Sequence, residues 1–150
     1  MQEIEYKFLV NKEQWDSLDK PEPTLIVQGF LSKSEDLVVR IRIKGNNGFL
    51  TLKGATKGIT RTEFEYEIPL NDAEAILAEF TEKSIRKHRY LIEYEGKTWE
   101  VDVFHDKLEG LILAELEVAS IDETFLKPSW VTKNVSEDPN YYNAVLIDRI

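Results

Sequence analysis

The first charged residues of the chain alternate with apolar ones. Glu3, Glu5 and Lys7 are separated by Ile4 and Tyr6. Residues two positions apart in an extended strand point to the same face, so two carboxylates and one ammonium group would share a face here. Carboxylates are hard oxygen ligands for divalent cations, and ammonium groups suit phosphate. The same pattern is also typical of the solvated face of a half-buried sheet.

The alternation recurs in later segments, where the charges are sorted by sign. Arg40, Arg42 and Lys44 make one segment wholly basic, whereas Glu115 and Glu117 make another wholly acidic. A surface that only confers solubility usually intersperses the two signs. Like charges on one face also repel each other unless an opposite charge lies between them. A solvated face does not explain this sorting, although it stays open as an alternative.

The residues on the opposite face of these segments are apolar and include Phe8, Phe64 and Trp99. That face must be covered, which favours a closed sheet with charges inside and apolar residues outside beneath short helices. Enclosed charges are costly without partners, and the natural partners are water, opposite charges, a divalent cation and a polyanion. The residues therefore predict a metal–polyphosphate site. The enclosed cations are Lys7, Arg40, Arg42, Lys53, Lys87 and Arg89, and the enclosed acids are Glu3, Glu5, Glu63, Glu65, Asp102, Glu115 and Glu117.

Eight segments have the alternation of strands, and most are bounded by turn residues. Together with a few short helices they predict an α+β fold, and eight antiparallel strands can close into a β-barrel. Asn46–Gly48 is predicted as the turn of a hairpin. The predicted strands are EIEYKFL, LIVQGFLS, LVVRIRIK, FLTLKG, RTEFEYEI, IRKHRYLIEY, TWEVDVF and LILAELEV.

Helix starts are predicted from capping residues. Asn11 is the expected N-cap of a helix that reaches about Leu18. Asn71 and Glu74 resemble a capping box, and Ser120 with Glu123 suggests a further helix start. A last short helix is predicted after Pro139.

Composition limits the classes of function that are open to this chain. Its 150 residues are enough for one domain, 1–150, with a real core. The net charge of −9 argues against binding of nucleic acid or anionic membranes. The absence of cysteine excludes disulfides and thiolate chemistry. No apolar run approaches the roughly 20 residues of a membrane helix, and no leader pattern is present, so we expect a cytoplasmic monomer or homodimer.

The ordered series of charged segments resembles the CYTH superfamily, the triphosphate tunnel metalloenzymes. EIEYK fits the family's E-x-E-x-K signature, and RIR with LTLK resembles its basic strands. RTEFEYEI contains R-x-E-x-E, KHRY contains K-x-R-Y, and WEVDVF with LAELEV resembles the late acidic strands. QGFLS and DPNYYNAVLI resemble the segment before the basic strands and the C-terminal helix. The resemblance spans nearly the whole chain, in order.

The resemblance implies an eight-stranded antiparallel tunnel that holds a linear triphosphate and a divalent metal, Mg²⁺ or Mn²⁺. The implied metal ligands are Glu3, Glu5, Glu115 and Glu117. The implied phosphate contacts are Lys7, Arg40, Arg42, Lys53, Arg61, Lys87 and Arg89. The implied catalytic set is Lys7 with Glu63, Glu65 and Asp102, of which the three acids hold a second metal or orient the attacking water.

The compact bacterial members of this family are similar to inorganic triphosphatases, which hydrolyse tripolyphosphate to pyrophosphate and orthophosphate. Hydrolysis of nucleoside or thiamine triphosphate, class IV-type adenylyl cyclase activity and non-enzymatic polyphosphate binding stay open. Phe30 stands where the family commonly has tyrosine, so a hydroxyl contact is lost. We expect His88 and His105 to lie outside the tunnel. Tyr141, Tyr142 and Asn143 are expected to pack at its mouth.

Overall fold

A computed structural model describes residues 1–150. The chain forms nine strands, three short α-helices and three 3-10 segments. The strands are β1 (Gln2–Val10), β2 (Thr24–Lys33), β3 (Leu37–Lys44), β4 (Asn47–Gly54), β5 (Thr60–Ile68), β6 (Ile85–Tyr94), β7 (Lys97–Phe104), β8 (Ile112–Glu117) and β9 (Val131–Asn134). The helices are α1 (Lys12–Asp16), α2 (Leu70–Phe80) and α3 (Asn143–Leu146), and the 3-10 segments are Asp106–Leu108, Pro139–Tyr141 and Ile147–Arg149.

Eight of the strands form a closed antiparallel β-barrel. Their order around the sheet is β5-β4-β3-β2-β6-β7-β8-β1, and β1 also pairs with β5, where Glu3 lies opposite Arg61. The predicted fold class is therefore confirmed. The strand β9, which pairs with the second half of β1 through Phe8 and Val10, was not predicted from the sequence.

Opposite charges face each other across several neighbouring strands. Lys7 pairs with Glu115 between β1 and β8, and Arg89 pairs with Asp102 between β6 and β7. Directly opposite side chains lie close enough to interact, so this register partly neutralises the interior.

Many apolar side chains pack on the outer side of the barrel, as predicted, but Phe64 of β5 is 44% exposed, so the expectation of cover was wrong there. One group surrounds Phe8 and Trp99 and includes Trp15 of α1. A second group includes Ile85, Phe104 and Leu146 of α3. These groups form the core, so the helices hold the barrel from its outer side. No helix in the structure has the length and apolar character needed to cross a membrane.

The β3–β4 hairpin is confirmed, but its turn lies earlier than predicted. The turn falls at residues 45–46, and Gly45 has a φ of 62°, which glycine adopts without strain. Gly48 belongs to β4, where an added Cβ would lie 2.7 Å from the Cβ of Ala73. This glycine therefore allows α2 to approach the sheet.

The predicted helix starts had mixed outcomes. The side chain of Asn11 caps α1 by accepting a hydrogen bond from the Gln14 backbone N–H. The capping box at Asn71 was wrong, because α2 begins at Leu70 after Pro69 and has no side-chain cap.

The predicted helix start at Ser120 was also wrong. The segment forms a turn, in which the Glu123 carboxylate accepts a hydrogen bond from the Ala119 backbone N–H. The short helical segment predicted after Pro139 is present.

Candidate active site

The barrel encloses a cavity of about 570 Å³. Only seven of the 27 residues that line it are hydrophobic, so the cavity is built for a charged occupant. Most of the sequence-predicted site residues meet there. Those that line the cavity are Glu3, Glu5, Lys7, Arg40, Arg42, Lys53, Arg61, Glu63, Arg89 and Glu115.

Four predicted site residues do not line the cavity. Lys87 and Asp102 are completely buried in the barrel wall, where their charged groups pair at 2.7 Å. Glu65 and Glu117 are exposed. The roles assigned to these four residues stay predictions.

The basic and acidic strands lie on opposite walls of the cavity. Three strands separate β3 from β8 whichever way the ring is followed, β2, β6 and β7 one way and β4, β5 and β1 the other. Arg40 and Arg42 of β3 therefore lie across the barrel from Glu115 of β8. A polyanion held by the basic wall would face carboxylates that can hold a cation.

Two acids of the acidic wall, Glu5 and Glu115, share a hydrogen bond. Burial, together with the negative charges of Glu115 and Glu3, raises the pKa of Glu5 well above its ordinary value. Burial also disfavours the charged form of Glu115, but the positive charge of Lys7, the bond from Glu5 and the charge of Arg89 outweigh it. They hold the pKa of Glu115 well below the ordinary value. Burial and the repulsion between two adjacent carboxylates therefore disfavour two negative charges at this pair.

A second acid pair lies where β1 meets β5. The Nζ of Lys53 is 3.2 Å from the Glu3 carboxylate and 3.6 Å from the Glu63 carboxylate. Burial and a hydrogen bond with Glu3 raise the pKa of Glu63 to about 7. Burial opposes ionisation of Glu3, but the hydrogen bond from Glu63 and the charge of Lys53 lower its pKa. One ammonium group thus lies beside two carboxylates, so a further cation would be attracted to this pair.

The basic wall carries cations with incomplete partners. Arg42 donates its Nε to Gln28 at 3.0 Å and forms no ion pair. Burial and the charges of Arg40 and Arg89 lower the pKa of Arg42 to about 9. Arg40 lies 3.5 Å from Glu65, and its Nε is buried without a hydrogen-bond partner. These guanidinium groups are therefore suited to accept an anion.

Arg89 connects the basic and acidic walls. It pairs with Asp102, with Glu100 at 3.1 Å and with Glu115 at 3.3 Å. Glu100 was not among the predicted site residues, although it lines the cavity. Its two-residue spacing from Asp102 within β7 was a usable signal.

Gln28 was not among the predicted site residues either. Gln28 is completely buried and bonds both Arg42 and Asn143. A neutral side chain in a strand gives no charge signal, so its role was not visible in the alternation. Phe30, on the same strand, lines the cavity.

The C-terminal segment contributes directly to the cavity wall. Tyr142 and Asn143 line the cavity, and the backbone carbonyl of Tyr141 accepts a hydrogen bond of 3.0 Å from Lys7. The two histidines lie together, with 2.6 Å between His88 Nδ1 and His105 Nε2, and neither lines the cavity.

Fold and lining together define a closed eight-stranded antiparallel barrel with a charged interior, in which the arginines of β3 lie across from a carboxylate of β8. The model of the CYTH domain family matches residues 1–144, and the chain belongs to this family.

Named relatives agree with this family. The chain is 43% identical over 146 residues to an inorganic triphosphatase of Acetivibrio thermocellus, a match that covers 97% of this chain and 92% of that protein. It is 33% identical over 150 residues to an inorganic triphosphatase of Nitrosomonas europaea, covering 97% of each. It also resembles the crystal structure of the inorganic triphosphatase NE1496, with a TM-score of 0.67, 30% identity and coverage of 97% of this chain and 93% of that one.

Membership of this family implies dependence on a divalent metal ion. The donors fit such an ion in chemistry, because the carboxylates are hard oxygen ligands and two pairs of them are close enough to share protons. Glu63 Oε2 is buried without a hydrogen-bond partner, as expected of a group that awaits a cation or a water. No three acidic or histidine side chains are already arranged as a metal site.

Proposed function

We propose that this protein is a divalent-metal-dependent inorganic triphosphatase that hydrolyses tripolyphosphate to pyrophosphate and orthophosphate. The observation that carries the proposal is the enclosed cavity with Arg40 and Arg42 on one wall and Glu115 on the wall across from it. A linear triphosphate needs cations along its length and a hard cation to neutralise the remaining oxygens. The inorganic triphosphatases among the relatives support the same activity.

The residues that would hold the metal are Glu3, Glu5, Glu115 and Glu117. Mg²⁺ and Mn²⁺ suit this donor set because both prefer carboxylate oxygens. The ion supplies charge neutralisation at the phosphate oxygens when it is bound.

The basic residues bind and orient the substrate. Arg40, Arg42 and Lys53 neutralise phosphate oxygens and hold the chain in line for displacement, together with Lys7, Arg61 and Arg89. Lys87 supports them from inside the wall, where Asp102 and Asn143 accept its hydrogen bonds.

The nucleophile is a water molecule that attacks the terminal phosphorus. Glu63 is proposed to orient this water, because its Oε2 lies buried beside the cavity without a hydrogen-bond partner, with the Lys53 ammonium group 3.6 Å away. The exposed Glu65 and the wall residue Asp102 act through their neighbours, Glu65 on Arg40 and Asp102 on Arg89. The predicted cytoplasmic location and monomeric or homodimeric state belong to the same proposal.

A metal-by-substrate hydrolysis assay tests the function. Purified protein is incubated with tripolyphosphate, ATP or thiamine triphosphate, in Mg²⁺, in Mn²⁺ or in EDTA. The expected result is orthophosphate release that is fastest from tripolyphosphate, requires a metal and yields pyrophosphate in equal amount. Binding of tripolyphosphate without turnover, or cyclic AMP as the main product from ATP, would overturn the proposal.

A further inference from the structure

Asn143 ties two buried side chains together at the wall of the cavity. Its Oδ1 accepts a hydrogen bond of 2.9 Å from the Gln28 side-chain amide and one of 3.1 Å from the Lys87 ammonium group. Asn143 begins α3, and it lies 115 residues from Gln28 in the sequence. Contacts over this distance hold the C-terminal segment against the barrel.

The orientation of both amide groups is determined by the cations that they contact. Lys87 carries only donors, so the Asn143 atom that faces it must be the oxygen. The Nε of Arg42 is likewise only a donor, and it faces the Gln28 oxygen at 3.0 Å. The Gln28 NH₂ group then points to the oxygen of Asn143, as observed. The contact with Lys87 and the contact with Arg42 therefore require the same orientation of the two amide groups.

This arrangement leaves a set of donors without acceptors. The NH₂ group of Asn143 has no acceptor in the protein, and the two terminal nitrogens of Arg42 have none either. Both residues line the cavity and both contact Gln28. Hydrogen-bond donors that face a cavity without acceptors suit an anion with several oxygens.

We propose that Asn143 is a substrate-binding residue whose side-chain NH₂ donates a hydrogen bond to a phosphate oxygen of the triphosphate, beside Arg42. Gln28 and Lys87 are the positioning residues that hold the Asn143 oxygen away from the substrate and its NH₂ toward it. This inference rests on the proposed function. It replaces the expectation that Asn143 only packs at the tunnel mouth.

Asn143→Asp separates binding from packing. The carboxylate keeps an acceptor for Lys87 and Gln28 but replaces the NH₂ donor with an oxygen that repels phosphate. The matched control is Asn140→Asp, which makes the same change on the same segment at an exposed residue outside the cavity. The dissociation constant for tripolyphosphate is measured by titration calorimetry in EDTA. KM, kcat and the midpoint of thermal unfolding are measured alongside.

Asn143→Asp is expected to weaken tripolyphosphate binding by about tenfold to a hundredfold, the range for a hydrogen bond to a charged group. The KM of Asn143→Asp should rise, and its melting temperature should be at or above that of the wild type. Asn140→Asp should have the affinity, KM and melting temperature of the wild type. If Asn143→Asp fails to fold, Asn143→Ser, whose hydroxyl is too short to span both partners, should show the same weakening.

Wild-type affinity in the folded Asn143 variant would overturn the inference, as would equal weakening in Asn140→Asp. Failure of the proposed function looks different. If the wild type binds tripolyphosphate without hydrolysing it, the proposed activity is overturned. The comparison of binding between the variants then still decides the role of Asn143. A wild type that neither binds nor hydrolyses tripolyphosphate overturns both.

Discussion

The guanidinium group of Arg89 binds the carboxylate of Asp102 through two hydrogen bonds, of 2.8 Å from Nε and 2.9 Å from the second nitrogen. The same carboxylate lies 2.7 Å from the Nζ of Lys87. One acid thus neutralises two buried cations, and all three side chains are at least nine-tenths buried. This cluster holds the strands β6 and β7 together beneath the cavity.

Asp102→Asn should destabilise the protein strongly. The amide leaves the buried Lys87 without its carboxylate and removes one of the three acids that pair with Arg89. Removal of one partner from a buried pair costs about 3–5 kcal/mol. Chemical denaturation measures the free energy of unfolding. Asp106→Asn, the same change in the exposed pair with Arg86, should have no measurable effect.

A second substitution shows whether the loss of stability in Asp102→Asn comes from unpaired charge or from altered packing. Adding Lys87→Met to Asp102→Asn removes the unpaired charge of Lys87, so the double variant should recover part of the lost stability. A double variant less stable than the single variant would show that the charge pair is not the cause.

Glu5→Gln should lower turnover and raise stability together. Glu5 lies inside the barrel beside Glu115 and Glu3, and its burial and their charges disfavour its ionised form. Loss of one metal ligand is expected to reduce kcat at least about a hundredfold. Because the folded state disfavours the ionised form of Glu5, the neutral glutamine should raise the unfolding free energy of the metal-free protein.

The matched control for that variant is Glu67→Gln, because Glu67 is exposed and outside the cavity. Glu67→Gln should change neither kcat nor the free energy of unfolding. A Glu5→Gln protein that is less stable and fully active would contradict the assignment of Glu5 to the metal site.

Arg42→Ala should reduce hydrolysis because Arg42 is buried, lines the cavity and has no carboxylate partner. Removing one such charge from a phosphoryl-transfer site is expected to lower kcat/KM by at least about a hundredfold. Steady-state kinetics with tripolyphosphate measure the loss. Lys44→Ala removes a cation from the same strand outside the cavity, and normal kinetics are expected. Equal losses in both variants would indicate a general effect of charge.

The histidine pair should make stability depend on pH between about 7 and 5. Burial and the nearby positive charges of His105 and Arg86 lower the pKa of His88. A lowered folded-state pKa means that the unfolded chain binds more protons just below pH 6.5, so stability falls as the pH decreases through that range. Unfolding curves at several pH values measure this loss.

His88→Gln should flatten that pH dependence. His105→Gln should do the same, because the 2.6 Å contact requires both rings. An unchanged slope in both variants would show that other groups cause the loss.

Alternation predicted much of the site because strand geometry alone determines which side chains share a face. Glu3, Glu5 and Lys7 reach the cavity for this reason, as do Arg40 and Arg42. Neutral polar residues carry no such signal, so Gln28 was missed.

The contacts of Asn143 were not visible in the sequence for a different reason. Its two partners come from β2 and β6, and only the docking of the C-terminal segment brings them together. The helix start predicted at Asn71 failed because capping residues are common in loops and first turns alike.

By itself, the sequence determined eight of the nine strands, the inward face of each and the sign of its charges, since these depend on local periodicity. Tertiary structure decided which strand lies across from which and how deep each charge is placed. Lys87 and Asp102 lie inside the wall while Glu117 reaches the surface, although all three were predicted on the inward face. Burial depends on the order of strands around the ring and on contacts between distant segments, and no local pattern specifies these.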